Sequence, residues 1–186
     1  HMHRPSVKYF WWPRFEIIAA WMTEEEARRR QDGLIEIYAE INGSVDLAGP
    51  SGSVRVTARA DRVERCANQS LRIIDYKTGA VPSATMVENG ARNQLLVEAL
   101  IASEGGFDDV PAGAVSQIEY WQISGVRTQP GMIKPMHTNG FDSAKMRDSL
   151  EQLVAAYDDM STCYLSEPVP SLVPSFRPYK HLERCR

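Results

Sequence analysis

Hydrophobic and polar residues follow two different periods along this chain, and the periods predict where helices and strands alternate. Three segments repeat apolar residues every three or four positions, which is typical of helices that bury one face. Five others alternate apolar and polar residues or form short apolar runs, which is typical of strands. The predicted helices are 13–32, 91–103 and 142–164. The predicted strands are 34–42 with a continuation over 45–47, then 53–65, 71–77, 115–123 and 132–137.

The loops between the first three predicted strands are too short to hold crossover helices, so these strands should be antiparallel. The order helix, three strands, helix, two strands, helix therefore predicts an α/β fold with a mixed β-sheet flanked by helices. The segment 167–186 carries four prolines, and we expect it to lie as an arm on a core formed by residues 3–166. His1 and Met2 are typical of residues left by cloning. The aromatic start at 10–13 suggests a piece of a longer polypeptide, with a small standalone protein as the alternative.

Composition excludes several classes of protein. Hydrophobic residues make up 43% of the chain and charged residues 24%, which is typical of globular proteins and excludes disorder as the main state. No run of 18 apolar residues is present, so a membrane-spanning helix is excluded. The net charge of −3 argues against a general polyanion binder and leaves a local basic groove open. The three cysteines, Cys66, Cys163 and Cys185, are too few and too scattered for a disulfide framework. We therefore expect a reducing, cytoplasmic location.

Two charged stretches, 58–63 and 73–79, fall on the second and third predicted strands. If the hairpin between them is symmetric about Asn68, Asp61 and Asp75 are direct cross-strand neighbours, about 5 Å apart at Cβ. Lys77 lies two residues after Asp75, so its side chain leaves the same face of the strand. The spacing therefore predicts two carboxylates and a lysine in one place.

Opposed carboxylates repel each other, and a divalent cation such as Mg²⁺ or Mn²⁺ removes the repulsion. Metal-activated water beside a lysine cation is what phosphodiester hydrolysis requires. The alternative is a surface strand pair whose charges face water. The apolar residues Leu71, Ile73 and Ile74, which lead directly into Asp75, favour a buried site.

These residues carry a resemblance. Ala-Arg-Ala-Asp-Arg-Val at 58–63, followed by Ile-Ile-Asp-Tyr-Lys-Thr-Gly at 73–79, resembles the PD-(D/E)xK signature of RecB-type nuclease domains. Gln94 matches the glutamine on the helix that follows the signature, and Glu98 stands where many members have tyrosine. The segments at 11–15 and 179–184 are most similar to the C-terminal nuclease domain of the AddB subunit of proteobacterial helicase–nucleases. The resemblance implies a restriction-endonuclease-like fold.

The resemblance also implies roles. Asp61, Asp75 and the backbone carbonyl of Tyr76 would be metal ligands, Lys77 the catalytic lysine, and Gln94 a residue that holds the site together or touches the DNA backbone. The family often adds a histidine or glutamate from a helix before the sheet. The acidic candidates there, none of which the spacing places, are Glu16, Glu24, Glu25 and Glu26. Whether this chain is active alone therefore stays open. Some relatives hold an iron–sulfur cluster with four cysteines, and three cysteines predict none here.

Arginines surround the predicted site. Arg55, Arg59 and Arg65 share the strand face of Asp61, whereas Arg62 points the other way. We regard Arg59 and Arg62 as candidates for DNA binding or site support, with salt bridges to Glu40 or Glu64 as the alternative.

By resemblance, the chain is a Mg²⁺-dependent deoxyribonuclease, and an exonuclease is the expected type. It would cut single-stranded DNA beside a helicase during double-strand break repair and recombination. The chain itself has no G-x-x-x-x-G-K-[ST] segment for ATP. The alternatives are a catalytically incomplete DNA-binding or scaffolding module of the same fold and a standalone CRISPR-associated nuclease.

Overall fold

A computed structural model describes residues 7–83, 86–87, 93–136 and 141–164, so the predicted arm at 167–186 lies outside the described residues. Within that part the chain forms a π-helical turn, three helices of ten residues or more, and five strands. The turn spans Val7–Trp11. The helices are α1 (Trp12–Gln31), α2 (Gln94–Ser103) and α3 (Ser143–Asp158). The strands are β1 (Leu34–Leu47), β2 (Val54–Cys66), β3 (Leu71–Lys77), β4 (Val115–Val126) and β5 (Gln129–Pro135).

The five strands form one mixed sheet in the order in which they occur along the chain. The pairs β1–β2, β2–β3 and β4–β5 are antiparallel, and β3–β4 is parallel. The parallel step needs a crossover, and α2 lies in the connection that provides it. The predicted α/β class, the mixed sheet and the antiparallel order of the first three strands are confirmed.

Local polar contacts explain where several elements turn or begin. Between β2 and β3, the side chain of Asn68 accepts a hydrogen bond from the backbone N–H of Ser70 at 3.0 Å, which closes a tight turn. At the start of α3, the carboxylate of Asp142 accepts a hydrogen bond from the backbone N–H of Lys145 at 3.0 Å and so caps the helix. Both residues stand at the positions where the sequence predicts a turn and a helix start.

The two faces of the sheet are covered by different helices, because successive strand residues point in opposite directions. On β4, Ile118 and Tyr120 join the apolar core that includes the buried residues of α2. Trp121 points to the other face, where its ring meets the ring of Trp21 on α1 at 5.5 Å between centroids. The main core therefore lies between the sheet and α2, and α1 covers the opposite face.

The ends of several elements differ from the predicted ones. Helix α3 ends at Asp158 instead of Tyr164, and β5 begins at Gln129 instead of Met132. Pairing with β4 explains the second difference, since Gln129 lies opposite Val126 next to the connection. Strand β4 correspondingly continues to Val126, beyond the predicted Ile123.

The buried face of α1 also differs from the prediction. The apolar stripe Phe15, Ile18 and Met22 is at most half-buried, and Phe15 is 56% exposed. The buried residues of this helix are Glu25 and Arg29. Ion pairs with the sheet, described below, replace the expected apolar contact at this end of the helix.

None of the helices in the described part of the chain combines the length and the apolar character that crossing a bilayer requires.

Candidate functional site

The hairpin of β2 and β3 has the predicted register. Its four paired positions, from Arg65 opposite Leu71 to Arg62 opposite Ile74, run symmetrically about Asn68. Strand pairing ends there, one step before Asp61 and Asp75. Beyond that point the Asp61 carboxylate accepts a hydrogen bond from the backbone N–H of Tyr76 at 2.9 Å. The Asp61 side chain thus accepts the hydrogen bond that a backbone carbonyl would accept if strand pairing continued. The strands separate next to the two aspartates.

Asp75 lies at the centre of the predicted site and is 1% exposed. The ammonium of Lys77 lies 3.0 Å from its Oδ1 and 2.8 Å from its Oδ2. The side-chain amide of Gln94 donates to the same Oδ1 at 2.9 Å. Burial raises the pKa of Asp75, and the nearby Asp61 adds to the rise, while Lys77 and Gln94 oppose it. The site therefore holds a carboxylate in a largely dry place beside one cation.

Lys77 reaches between this buried carboxylate and the solvent. Its side chain is one-third exposed, and its ammonium lies 5.7 Å from the centre of the Tyr120 ring. An ammonium that is fixed by a buried partner and still reachable from outside can contact an incoming anionic substrate.

Gln94 and Glu98 stand one turn apart at the start of α2, on the face that the helix turns toward the sheet. The nitrogen of the Gln94 amide bonds Asp75 and also Oε1 of Glu98, the latter at 3.0 Å. Glu98 is 1% exposed, and its Oε2 has no hydrogen-bond partner in the described part of the chain. Burial raises the pKa of Glu98 to about 7, and the charges of Asp75 and Asp61 add to the rise.

The donor atoms at this site fit a hard divalent cation. Asp61 and Asp75 supply carboxylate oxygens, and Mg²⁺ commonly binds through one or two carboxylates and keeps several waters. The backbone of Tyr76 is turned toward Asp61 through its N–H, and in an extended strand the carbonyl of the same residue points to the same side. Among the described residues, no group of three or more His, Cys, Asp or Glu side chains could hold a metal. Water, backbone or substrate oxygens would complete the coordination.

The glutamates of α1 are not brought to this site. Glu25 binds the guanidinium of Arg29 at 2.9 Å, and Glu26 binds Arg30 at 2.7 Å. Glu16 accepts a hydrogen bond from the indole of Trp12 at 2.9 Å. In the part of the chain that the structure describes, neither these residues nor Glu24 form a metal-binding group with Asp61 and Asp75.

The two candidate arginines lie in different surroundings. Arg59 is 63% exposed at its side chain and forms a salt bridge of 2.9 Å with Glu40, which is the alternative that the sequence left open. Arg62 is 6% exposed at its side chain and lies 2.7 Å from Glu64. Its guanidinium also lies 5.2 Å from the Trp121 ring and 3.5 Å from the hydroxyl of Tyr76. The guanidinium of Arg62 is thus buried among its partners, whereas that of Arg59 lies at the surface.

A buried network of charges on the α1 side was not predicted. Arg29, 2% exposed, binds Glu64 at 2.7 Å and also Glu119, which in turn accepts a hydrogen bond of 2.9 Å from the indole of Trp121. Burial alone would lower the pKa of Arg29, but Glu119 and Glu64 raise it above its usual value. The signal available in the sequence was the presence of Glu64 and Glu119 inside predicted strands, next to the apolar residues Val63 and Ile118.

This network lies directly behind the candidate site. The ring of Tyr76, the residue between Asp75 and Lys77, packs edge-on against Trp121 at 5.7 Å between centroids. Trp121 in turn lies under the guanidinium of Arg29 at 4.7 Å from the ring centre. The segment that carries the candidate catalytic residues is thus fixed from both faces of the sheet.

Comparisons with known proteins identify similar sequences. The family model described as the PD-(D/E)XK nuclease superfamily matches residues 7–167. An uncharacterised protein of Rickettsia typhi is 26% identical over 126 residues, which cover 65% of this chain and 15% of the relative. An uncharacterised protein of Rickettsia conorii is 35% identical over 78 residues, which cover 42% of this chain and 9% of the relative.

The chain thus spans no more than 15% of the length of these two relatives. Among solved structures, the crystal structure of SSO0001 is similar with a TM-score of 0.41 and 12% sequence identity, over 69% of this chain and 53% of that chain.

Proposed function

Since the chain belongs to the PD-(D/E)XK nuclease superfamily, we propose that it hydrolyses phosphodiester bonds in DNA with the help of a bound divalent cation, Mg²⁺ or Mn²⁺. The observation that carries the proposal is the ion pair between Lys77 and the buried Asp75, at 2.8 Å, beside Asp61. A buried carboxylate, a second carboxylate and a reachable lysine are the groups that this chemistry needs.

Each residue has a part in this proposal. Asp61, Asp75 and the carbonyl of Tyr76 would hold the cation, which supplies a more acidic bound water and neutralises charge on the phosphate. Lys77 Nζ, which is already fixed beside Asp75, orients the attacking water or stabilises the negative charge that develops on the phosphate oxygens. Gln94 holds Asp75 in place, because its amide nitrogen donates to the carboxylate.

We further propose the biological setting of this activity. The resemblance of the segments at 11–15 and 179–184 to AddB-type domains supports an exonuclease that acts in a helicase–nuclease during break repair and recombination, on single-stranded DNA. The chain spans a small part of its Rickettsia relatives, which is consistent with a domain that works beside other domains. On this proposal, residues 3–166 are the nuclease core and the location is cytoplasmic.

A second candidate is a DNA-binding or scaffolding module of the same fold without catalysis. The observation in its favour is that no set of three metal-binding side chains gathers at the site among the described residues. A module of this kind would show no affinity for Mg²⁺ or Mn²⁺ at Asp61 and Asp75, and this distinguishes it from a nuclease.

The test is calorimetric titration of Mn²⁺ and Mg²⁺ into the wild type and Asp75→Asn, with degradation of end-labelled single-stranded DNA measured on the same samples. Asp46→Asn is the matched control, because Asp46 is a half-exposed carboxylate that pairs with Arg55. Binding and cleavage in the wild type and the control, with both lost in Asp75→Asn, support a self-sufficient nuclease. Metal binding without cleavage, or neither in the wild type, contradicts it.

A further inference from the structure

The side-chain amide of Gln94 lies between two carboxyl groups. One atom, Nε2, lies 2.9 Å from Oδ1 of Asp75 and 3.0 Å from Oε1 of Glu98. A side-chain amide nitrogen carries two hydrogens, so these two contacts use its whole donor capacity. Gln94 thus bridges two carboxyl groups, one from β3 and one from its own helix.

The bridge determines which way the amide faces. Asp75 carries the ion pair with Lys77, so the Gln94 atom that faces it must be a donor, namely nitrogen and not oxygen. Oε1 of Glu98 accepts the second hydrogen. The Gln94 carbonyl oxygen is then directed away from both carboxyl groups, and the residue as a whole is exposed.

Packing does not explain why a carboxyl group occupies position 98. Its neighbours along the helix, among them Leu95 and Ala99, are fully buried apolar residues. Glu98 itself is 1% exposed, and its Oε2 has no partner in the part of the chain that the structure describes. A buried carboxyl with an unsatisfied oxygen costs folding free energy, and an apolar residue would not. Its measurable benefit is the bond that it accepts from Gln94.

We propose that Glu98 is a positioning residue that holds the Gln94 amide with its nitrogen on Asp75 and its carbonyl oxygen toward bound nucleic acid. This oxygen can accept a hydrogen bond from a hydroxyl group, a base amino group or a bound water, and it cannot bond a phosphate oxygen, which has no proton to donate. The inference rests on the proposed nuclease function and adds to it a polar contact that recognises a donor on the substrate.

Two variants at position 98 distinguish the loss of the bond to Gln94 from a general change in packing. Glu98→Gln keeps a carbonyl oxygen that can accept the bond from Gln94, whereas Glu98→Met has similar length and no acceptor. Leu96→Met on the same helix is the packing control. We expect Glu98→Met to lower kcat/KM roughly ten-fold, about the effect of one lost hydrogen bond to the substrate. Glu98→Gln should retain most of the activity, and Glu98→Met should be at least as stable as the wild type.

A double-variant cycle tests whether Glu98 acts through Gln94. The combination of Gln94→Ala and Glu98→Met should be no slower than Gln94→Ala alone, because the positioned group is already absent. If the loss of rate in the double variant equals the product of the losses in the two single variants, the proposal is overturned. An equal loss of activity in Glu98→Gln and Glu98→Met would also overturn it.

A readout that does not depend on catalysis is the side-chain amide signal of Gln94 in ¹⁵N NMR spectra, assigned by its loss in Gln94→Ala. The expected result is slow hydrogen exchange of this amide in the wild type and in Glu98→Gln, with fast exchange in Glu98→Met. Equal exchange in the wild type and Glu98→Met overturns the proposal even if DNA is cleaved. If the wild type cleaves no DNA, but its Gln94 amide exchanges slowly and this slow exchange depends on Glu98, the nuclease proposal is overturned. The contact between Gln94 and Glu98 is then supported.

Discussion

The backbone N–H of Tyr76 donates a hydrogen bond of 2.9 Å to the side chain of Asp61, one step beyond the last paired residues of β2 and β3. The bond ties the aspartate on one strand to the residue between Asp75 and Lys77 on the other. It also turns the backbone of Tyr76 toward Asp61, so the Tyr76 carbonyl shares that side of the strand. The same carboxylate therefore fixes the backbone and, in the proposed function, provides a metal ligand.

Substitution of Asp61 should separate these two effects. Asp61→Asn keeps an oxygen that can accept the Tyr76 bond but removes the negative charge, and we expect it to fold normally while Mn²⁺ affinity falls by at least about ten-fold. Asp61→Ala should lose both the affinity and part of the stability. Urea denaturation without metal and calorimetric titration with Mn²⁺ measure the two quantities. Unchanged Mn²⁺ affinity in Asp61→Asn would contradict its assignment as a ligand.

Lys77→Met should slow cleavage strongly without abolishing metal binding. The substitution keeps the length of the side chain and removes the cation that lies 2.8 Å from Asp75, and loss of one such transition-state contact costs roughly 10²–10³ in rate. Single-turnover cleavage of single-stranded DNA at saturating Mn²⁺ is the measurement. Lys134→Met, on the edge strand β5, is the control and should cleave at the wild-type rate. A cleavage rate within three-fold of wild type for Lys77→Met would contradict the catalytic role proposed for Lys77.

Much of the candidate site was predictable because it depends on local rules. The two-residue period of strands places Lys77 on the face of Asp75, and a short symmetric turn at Asn68 fixes the register of β2 against β3. These rules do not describe where pairing stops. The separation of the strands at Asp61 depends on a side-chain bond to Tyr76, and no hydrophobic pattern contains that information.

The orientation of α1 was not predictable for a related reason. A pattern of apolar residues treats Arg29, Glu64 and Glu119 as three separate polar positions. Burial of each is favourable only when its partners lie beside it in the folded chain. Glu64 and Glu119 are 35 and 90 residues away from Arg29 in the sequence. Apolar periodicity therefore located the helix and did not identify its buried face.

The stability of the fold should depend strongly on pairing among the buried charges of Arg29, Glu64 and Glu119. Arg29→Met should lower the free energy of unfolding by about 3–5 kcal/mol, because it leaves the buried carboxylate of Glu119 without its cation and the buried Glu64 with one cation fewer. Arg28→Met is the matched control. Arg28 is 56% exposed at its side chain, and its pairs with Glu25 and Asp32 should contribute less than about 1 kcal/mol. Equal losses for the two variants in urea denaturation would contradict a structural role for the network.

The raised pKa of Glu98 predicts how stability depends on pH. Its pKa is about 7 in the folded protein and near 4.5 when the chain is unfolded, so the folded state holds the proton more tightly. Stability should therefore fall as pH rises through this interval, and the full penalty, about 3 kcal/mol, is present above pH 7. Glu98→Gln has no such group, so its advantage over the wild type should increase from pH 5 to pH 8 in metal-free buffer.

Glu151→Gln is the control for this measurement. Bonds from the Ala48 backbone and from Arg147 lower the pKa of Glu151, so its contribution is complete above its unfolded pKa and disappears only as pH falls below that value. The difference between Glu151→Gln and the wild type should therefore stay constant from pH 5 to pH 8. A Glu98→Gln difference that is also constant over this range would show that Glu98 does not titrate there.

Arg59 and Arg62 should respond differently to substitution, although three positions separate them on the same strand. Arg59 is exposed and paired with Glu40, so Arg59→Ala should leave stability within about 1 kcal/mol of wild type. If it contacts DNA, the variant should weaken binding of single-stranded DNA and reduce the salt dependence, the slope of log K against log salt, by about 0.7. Fluorescence anisotropy at several salt concentrations, with Ca²⁺ in place of Mg²⁺, measures both.

Arg62→Ala should show the opposite pattern, because Arg62 is buried beside Glu64 and the Trp121 ring. Its removal leaves Glu64 with one cation fewer in a dry environment, so the main effect should be a loss of stability of more than about 2 kcal/mol. The salt dependence of DNA binding should stay at the wild-type value, since a buried guanidinium releases no counterion from DNA. A reduced slope in Arg62→Ala would mean that this arginine reaches the nucleic acid and that the network opens when DNA binds.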